Sequence, residues 1–169
     1  MVVVKVDGRR VQNHIDALSA LFVLRPLQPS PLGVGKTIYL IFDAGLCAHL
    51  GAPLRRRWQS WFLNEWLNQR RFLALTPDRS PTYYRTSRGS FIDFVLGSRW
   101  VLFSESPAPD RRDRMTIKAA TKNAPRATFT VMCATEDEGG KIEKNTLQRP
   151  WSLVAEFPRQ YFEEIERYF

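Results

Sequence analysis

The residue that points most directly at chemistry is a carboxylate set inside an apolar strand. From Ser80 to Ser98 the chain reads S-P-T-Y-Y-R-T-S-R-G-S-F-I-D-F-V-L-G-S. This is an extended polar segment that turns at Arg88-Gly89-Ser90 into a short apolar run, Phe91 to Leu96, with Asp93 in its middle. A charge in a buried strand is costly unless it is paired, hydrogen-bonded or bound to a cation, so Asp93 requires a partner. Just upstream, Tyr83 and Tyr84 are interleaved with Arg79, Arg85 and Arg88, a mixture suited to stacking on bases and holding phosphates. The plain alternative is a surface turn with one tyrosine packed inward. Arg55, Arg56 and Arg57 fall in the first turn of an expected helix, where the dipole disfavours cations, so they either answer an external anion or are simply tolerated.

Other chemical signals are weaker. Ser30-Pro31-Leu32-Gly33-Val34-Gly35-Lys36-Thr37 is one residue short of a Walker A loop, with Ser30 in place of the first glycine. A phosphate loop needs a helix to begin directly after its Lys-Thr, and here Ile-Tyr-Leu-Ile-Phe follows, a strand pattern. His14 and His49 read more readily as structural or surface residues than as proton-transfer groups. Cys47 and Cys133 are the only cysteines. Two distant cysteines make no metal framework, and reduced thiols are the expectation, with a single disulfide as the alternative.

Several elements must position these groups. Val2 to Val6 reads as a strand stopped by Asp7-Gly8, Asn13 to Leu24 as a short helix, and Pro26 to Gly35 as a proline-rich loop. Thr37 to Phe42 reads as a buried strand. Pro53 to Arg71 is the clearest helix, with Leu54, Trp58, Trp61, Phe62, Trp66 and Leu67 at helical spacing, a stripe better suited to a core than to a ligand platform. Strands are expected at Phe72 to Leu75, Phe91 to Leu96, Arg99 to Ser104 and Arg126 to Ala134, and loops at Ser106 to Arg114 and Thr135 to Asn145. Glu156 to Phe169 reads as an amphipathic helix, with Phe157, Tyr161, Phe162, Ile165 and Phe169 on one face.

With 169 residues, 44% of them hydrophobic, the chain suits one domain with a real core. The net charge of +8 suits a polyanionic partner. No stretch is long and apolar enough for a membrane span, and the N-terminus lacks the apolar run of a signal peptide, so a soluble intracellular protein without membrane association is expected.

The order of motifs from Ile38 to Ile117 resembles the C-terminal half of the endonuclease/exonuclease/phosphatase superfamily, in particular the endonuclease of LINE-type (non-LTR) retrotransposons. The resemblance rests on Leu40-Ile41-Phe42-Asp43-Ala44-Gly45 and His49-Leu50-Gly51. It continues through Trp61-Phe62-Leu63-Asn64, Pro81-Thr82-Tyr83-Tyr84, Ser90-Phe91-Ile92-Asp93 through Ser98, and Arg112-Asp113-Arg114-Met115-Thr116-Ile117. It covers about half of the chain, by motif order and spacing. It implies an α/β fold built on part of that layered sheet-and-helix architecture: a divergent N-terminal segment (1–36), an endonuclease-like region (37–117) and a C-terminal strand, loop and helix (118–169).

The departures bear on activity. Asp43, Asp93 and Asp113 stand at family carboxylate positions, but the phosphate-orienting asparagine falls at Gly45 and the general acid/base histidine at Arg114. Loss of members of a site that acts as a unit removes most of its rate enhancement. The resemblance therefore implies a catalytically inactive, endonuclease-derived protein without cofactor, whose Asp93 forms a structural pair with Arg114. It would bind nucleic acid or a protein partner through Arg55, Arg56, Arg57, Arg70, Arg71, Tyr83, Tyr84, Arg85 and Arg88. Half of a two-sheet sandwich would leave a sheet face to be covered, which favours a homo-oligomer or a larger assembly. The alternatives are an active Mg²⁺-dependent endonuclease using the three aspartates, and a structural or interaction subunit with no nucleic-acid role.

Overall fold

A computed structural model describes residues 7–72, 80–135 and 139–154. The chain order is α1 (Gly8–Ala20), β1 (Leu24–Pro29), β2 (Ile38–Ile41), α2 (Ala44–His49), α3 (Leu54–Phe72), β3 (Thr82–Arg85), β4 (Phe91–Leu96), β5 (Arg99–Ser104), α4 (Arg111–Asn123), β6 (Thr128–Cys133), β7 (Lys141–Glu143) and β8 (Thr146–Pro150), then a 3₁₀ turn, Trp151–Val154. All eight strands join one mixed sheet in the order β2-β1-β3-β4-β5-β6-β8-β7. Strands β3, β4 and β5 form an antiparallel meander, while β5, β6 and β8 run parallel, with α4 as the crossover between β5 and β6.

Each face of the sheet has its own core. On one side Phe62, Leu63 and Trp66 of α3 and Trp151 pack over Leu27, Leu40, Tyr83, Phe94, Leu96, Val101, Phe103 and Met132. On the other, Ile117 and Ala120 of α4 cover Tyr84, Ile92, Trp100, Leu102, Phe129, Val131 and Cys133. The tryptophan stripe of α3 is thus core, as its spacing predicts. Trp151 is fixed further by donating its indole N–H to Met132 O at 2.7 Å. Both faces of the central strands find their cover within the chain, which removes the uncovered face from which oligomerisation is expected.

The structure bears out the helix over α3 and the strands β4, β5 and β6, and corrects other expectations. The first helix begins at Gly8, capped by Asp7, whose side chain accepts from Arg9 N at 3.0 Å, and it ends before β1. Part of the expected 26–35 loop is strand β1, and β2 is an edge strand in which only Leu40 is fully buried. No helix follows Lys36-Thr37. Gly35 lies at φ +147, and a Cβ there would collide with Tyr83 Oη, so this glycine makes room for a core tyrosine rather than for a phosphate. The expected loop at 106–114 contains the start of α4, and the one at 135–145 contains β7. The expected N-terminal strand (2–6) and C-terminal helix (156–169) lie outside the described residues, as does the expected 72–75 strand beyond Phe72, which itself ends α3. Cys47 and Cys133 are both buried and free.

Candidate functional site

The site begins with an irregularity in β4. Arg85 pairs with Phe91 and Tyr84 with Ile92, but Thr82 pairs with Val95, so Tyr83 alone stands opposite the two residues Asp93 and Phe94. That is a β-bulge, and bulges re-aim side chains. Phe91 packs with the α3-side core and Ile92 with the α4-side core, as alternation requires, and then both Asp93 and Phe94 turn toward α3. Asp93 therefore leaves the strand where α3 passes over it.

Its partner comes from α3. Arg55 grips the carboxylate with both arms, Nε donating to Oδ1 at 3.1 Å and Nη2 to Oδ2 at 2.7 Å. Gln59, one turn further on, donates its amide to Oδ1, and Phe103 N in β5 donates to Oδ2 at 2.8 Å. Each oxygen thus has two donors, and the side chain is wholly buried while that of Arg55 stays 30% exposed. The expected Asp93–Arg114 pair is corrected: Arg114 is exposed on α4 and its Nε reaches only Pro109 O at 3.4 Å. The amide of Gln59 is held by two charges, since its Oε1 accepts from Arg56 Nη1 at 2.7 Å. Burial works to lower the Arg55 pKa, but the charge and hydrogen bonds of Asp93, with Asp113 and Glu105 behind it, more than offset this and raise it above the ordinary value.

The other two carboxylates have local duties. Asp43 caps α2, accepting from Leu46 N at 2.8 Å. Asp113 is the third residue of α4 and forms a capping box with Asp110: Asp113 N donates to Asp110 Oδ1 at 2.8 Å, and Asp110 N to Asp113 Oδ2 at 3.0 Å. Ser104 Oγ adds a donor to Asp113 at 2.6 Å. Among the described residues no three His, Cys, Asp or Glu side chains are grouped to hold a metal. Asp93, the carboxylate most deeply buried, already has a guanidinium as its cation.

The sheet end where β4 begins and β5 ends opens into a cleft of about 260 Å³. The first turns of α3 and α4 both reach it. Its walls carry Arg55, Arg56 and Gln59 from α3, Phe91 and Leu102 from the sheet, Glu105 after β5, and Arg112, Asp113 and Thr116 from α4. Arg55 is offset by Asp93, and Asp113 is engaged in the cap. Arg56 and Arg112 are then the exposed cations of the wall and Glu105 its exposed carboxylate.

The structure divides the expected anion surface. Arg55 and Arg56 line the cleft, while Arg85 at the end of β3 and Arg88 on the turn that leads into Phe91 are both exposed. Arg57 is turned back, donating from Nε to Ala52 O at 2.9 Å. Arg70 is half-buried near the far end of α3, where Arg71 also lies, so neither belongs to this end of the sheet. Tyr83 and Tyr84 are corrected as base platforms: both are buried, on opposite faces of the sheet. Tyr83 Oη donates to Lys36 O at 2.6 Å, and Tyr84 Oη accepts from Asn123 Nδ2 at 2.7 Å. Successive strand residues point to opposite faces, so a Tyr-Tyr pair in a doubly covered strand is drawn inward on both sides. His14 and His49 lie exposed on α1 and α2, outside the cleft. Sequence reasoning missed Gln59 and Arg112; the signal for Arg112 was Asp110-x-x-Asp113, a helix-start pattern. Comparison with protein-family models, with curated proteins and with solved structures finds no match to this chain.

Proposed function

We propose that this chain is a non-catalytic domain of endonuclease-like descent that binds nucleic acid through its phosphate backbone at the arginine-lined cleft. One observation carries the reading: a fully buried carboxylate holds Arg55 bidentately at the mouth of a cleft whose exposed cations, Arg56 and Arg112, come from the first turns of two different helices. An arginine fixed by a carboxylate presents its remaining N–H groups in a set direction, which suits the fork geometry of a phosphate. Arg85 and Arg88 extend the cationic rim along the adjoining turn.

Side-chain commitments support the absence of catalysis. Asp43 and Asp113 are spent on helix caps, and Asp93 has its four donors. The position of a general acid/base histidine is taken by an exposed arginine, Arg114.

The test is binding of a fluorescent oligonucleotide across a salt series, with a plasmid-nicking assay in Mg²⁺ on the same preparation. Binding should weaken steeply with salt, and Arg56→Gln with Arg112→Gln should lower the log–log slope by about 0.7 to 0.9 for each phosphate contact removed. Salt-independent association, or none, would overturn the binding reading. Mg²⁺-dependent nicking abolished by Asp43→Ala would overturn the non-catalytic one.

A further inference from the structure

Helix α4 carries a second cationic surface that does not line the cleft. Its sequence, R-R-D-R-M-T-I-K-A-A-T-K-N, holds five cations and one carboxylate, and that carboxylate, Asp113, is buried in the capping box. Arg111, Arg114, Lys118 and Lys122 recur every three or four residues, so they share one side of the helix, and all four are exposed. At 1.5 Å per residue the row is about 16 Å long. Among the described residues none of the four has a carboxylate within ion-pair distance.

A solvated helix face ordinarily intersperses opposite charges at i, i+4, because like charges there repel and destabilise the helix. Here three successive spacings, 111 to 114, 114 to 118 and 118 to 122, are like-charged, and two of the four cations sit at the unfavourable end of the dipole. Among the described residues no carboxylate pairs with the row, and Glu143, the one carboxylate lining the groove beside it, leaves three charges in excess, whereas an external polyanion would relieve the repulsion. The surface is also concave. A groove of about 550 Å³ runs between this side of α4 and the residues around β7, lined by Arg114, Met115, Ile117, Lys118 and Lys122 from the helix and by Asn145 and a single carboxylate, Glu143, from the other wall.

We infer that this groove is a track for a nucleic-acid backbone, with the Arg111/Arg114/Lys118/Lys122 row contacting successive phosphates; the inference rests on the nucleic-acid reading of the preceding subsection. Met115, 60% exposed and lining the groove, supplies an apolar contact for sugars or bases. The capping box and the Ile117–Ala120 packing hold the helix in place without using any of the four cations.

The experiment compares full-length wild type with the variant R111Q/R114Q/K118Q/K122Q by fluorescence anisotropy on single- and double-stranded oligonucleotides, from about 50 to 200 mM salt. Glutamine keeps helix propensity, and an unchanged thermal melt shows that the fold is intact. The expected result is a log–log salt slope shallower by about 2.8 on single strands and about 3.6 on duplex, with K118Q/K122Q giving about half of that. K118R/K122R should bind as wild type does. If wild type binds and the quadruple variant binds equally well with the same slope, the track is overturned while the cleft reading stands. If wild type binds neither oligonucleotide, both fall. If the variant instead loses binding only to polyglutamate, the groove serves an acidic peptide and the track is overturned.

Discussion

The first turns of helices α3 and α4 lie at the same end of the sheet and both carry arginines, yet the two clusters are committed to different degrees. In α3 no carboxylate lies in the first turn, and two of its three arginines are committed inside the molecule, Arg55 to Asp93 and Arg57 to Ala52 O, while Arg56 gives one bond to Gln59 and stays exposed in the cleft. In α4 the capping box already satisfies the helix start, so Arg111, Arg112 and Arg114 face outward. The same residue type in the first turn of a helix is largely committed to the fold in one case and wholly outward in the other. What separates them is where the nearest carboxylate lies, in a neighbouring strand or in the helix itself.

Breaking the α3 side should have the largest effect. Asp93→Ala strands the Gln59 amide and Phe103 N–H and leaves Arg55 without its counter-charge, while Arg55→Ala leaves the buried carboxylate unpaired. Loss of one partner of such a pair costs about 3–5 kcal/mol, and the 30% exposure of Arg55 places Asp93→Ala toward the lower end. Denaturant unfolding measures this, and a loss below about 1 kcal/mol would show that the grip on Asp93 is dispensable.

The α4 side should respond less. Asp113→Ala removes half of the capping box and strands Ser104 Oγ, at a cost of about 1–3 kcal/mol. The glutamine substitutions on the exposed row should leave the unfolding midpoint almost unchanged while altering nucleic-acid binding. If instead they destabilised the fold as Asp113→Ala does, the contrast between the two helices would fail.

The effect that is smallest near neutral pH concerns a thiol. Burial, with the charge of Asp113 behind it, pushes the Cys133 thiol up to about 12. An unfolded chain loses that proton near the ordinary thiol pKa of about 8.5. The thiol's contribution to stability is therefore full below that value and is lost progressively as pH rises toward about 12. Cys133→Ser or Cys133→Ala should flatten the alkaline limb of the stability curve, and native Cys133 should resist alkylation at neutral pH.

Periodicity made part of this architecture legible. The α3 stripe and the apolar runs of β4, β5 and β6 declare themselves because packing on one or both faces leaves a repeat in the residues. Strand β1 did not, because Pro26 and Pro29 read as loop; its pairing with β3 spans only Gln28–Thr82 and Pro29–Tyr83, so missing proline N–H groups cost that ladder little. Helix α4 was hidden by Pro107, Pro109 and its cations, although Asp110-x-x-Asp113 marked its start. For Asp93, the need for a partner was readable from one charge among apolar neighbours. The partner was not, because Arg55 lies 38 residues upstream and only the packing of α3 across β4 brings the two together.

The bulge in β4 has one more consequence, which is arithmetical. If Asp93 is struck out, Phe91, Ile92, Phe94, Val95 and Leu96 alternate between the two cores without a fault. Asp93 therefore displaces no core residue; it is carried as a supernumerary, an added unit of chain length rather than a change of composition. The strand keeps its full apolar complement, and the charge is stored in the one place where an odd count gives it somewhere to go.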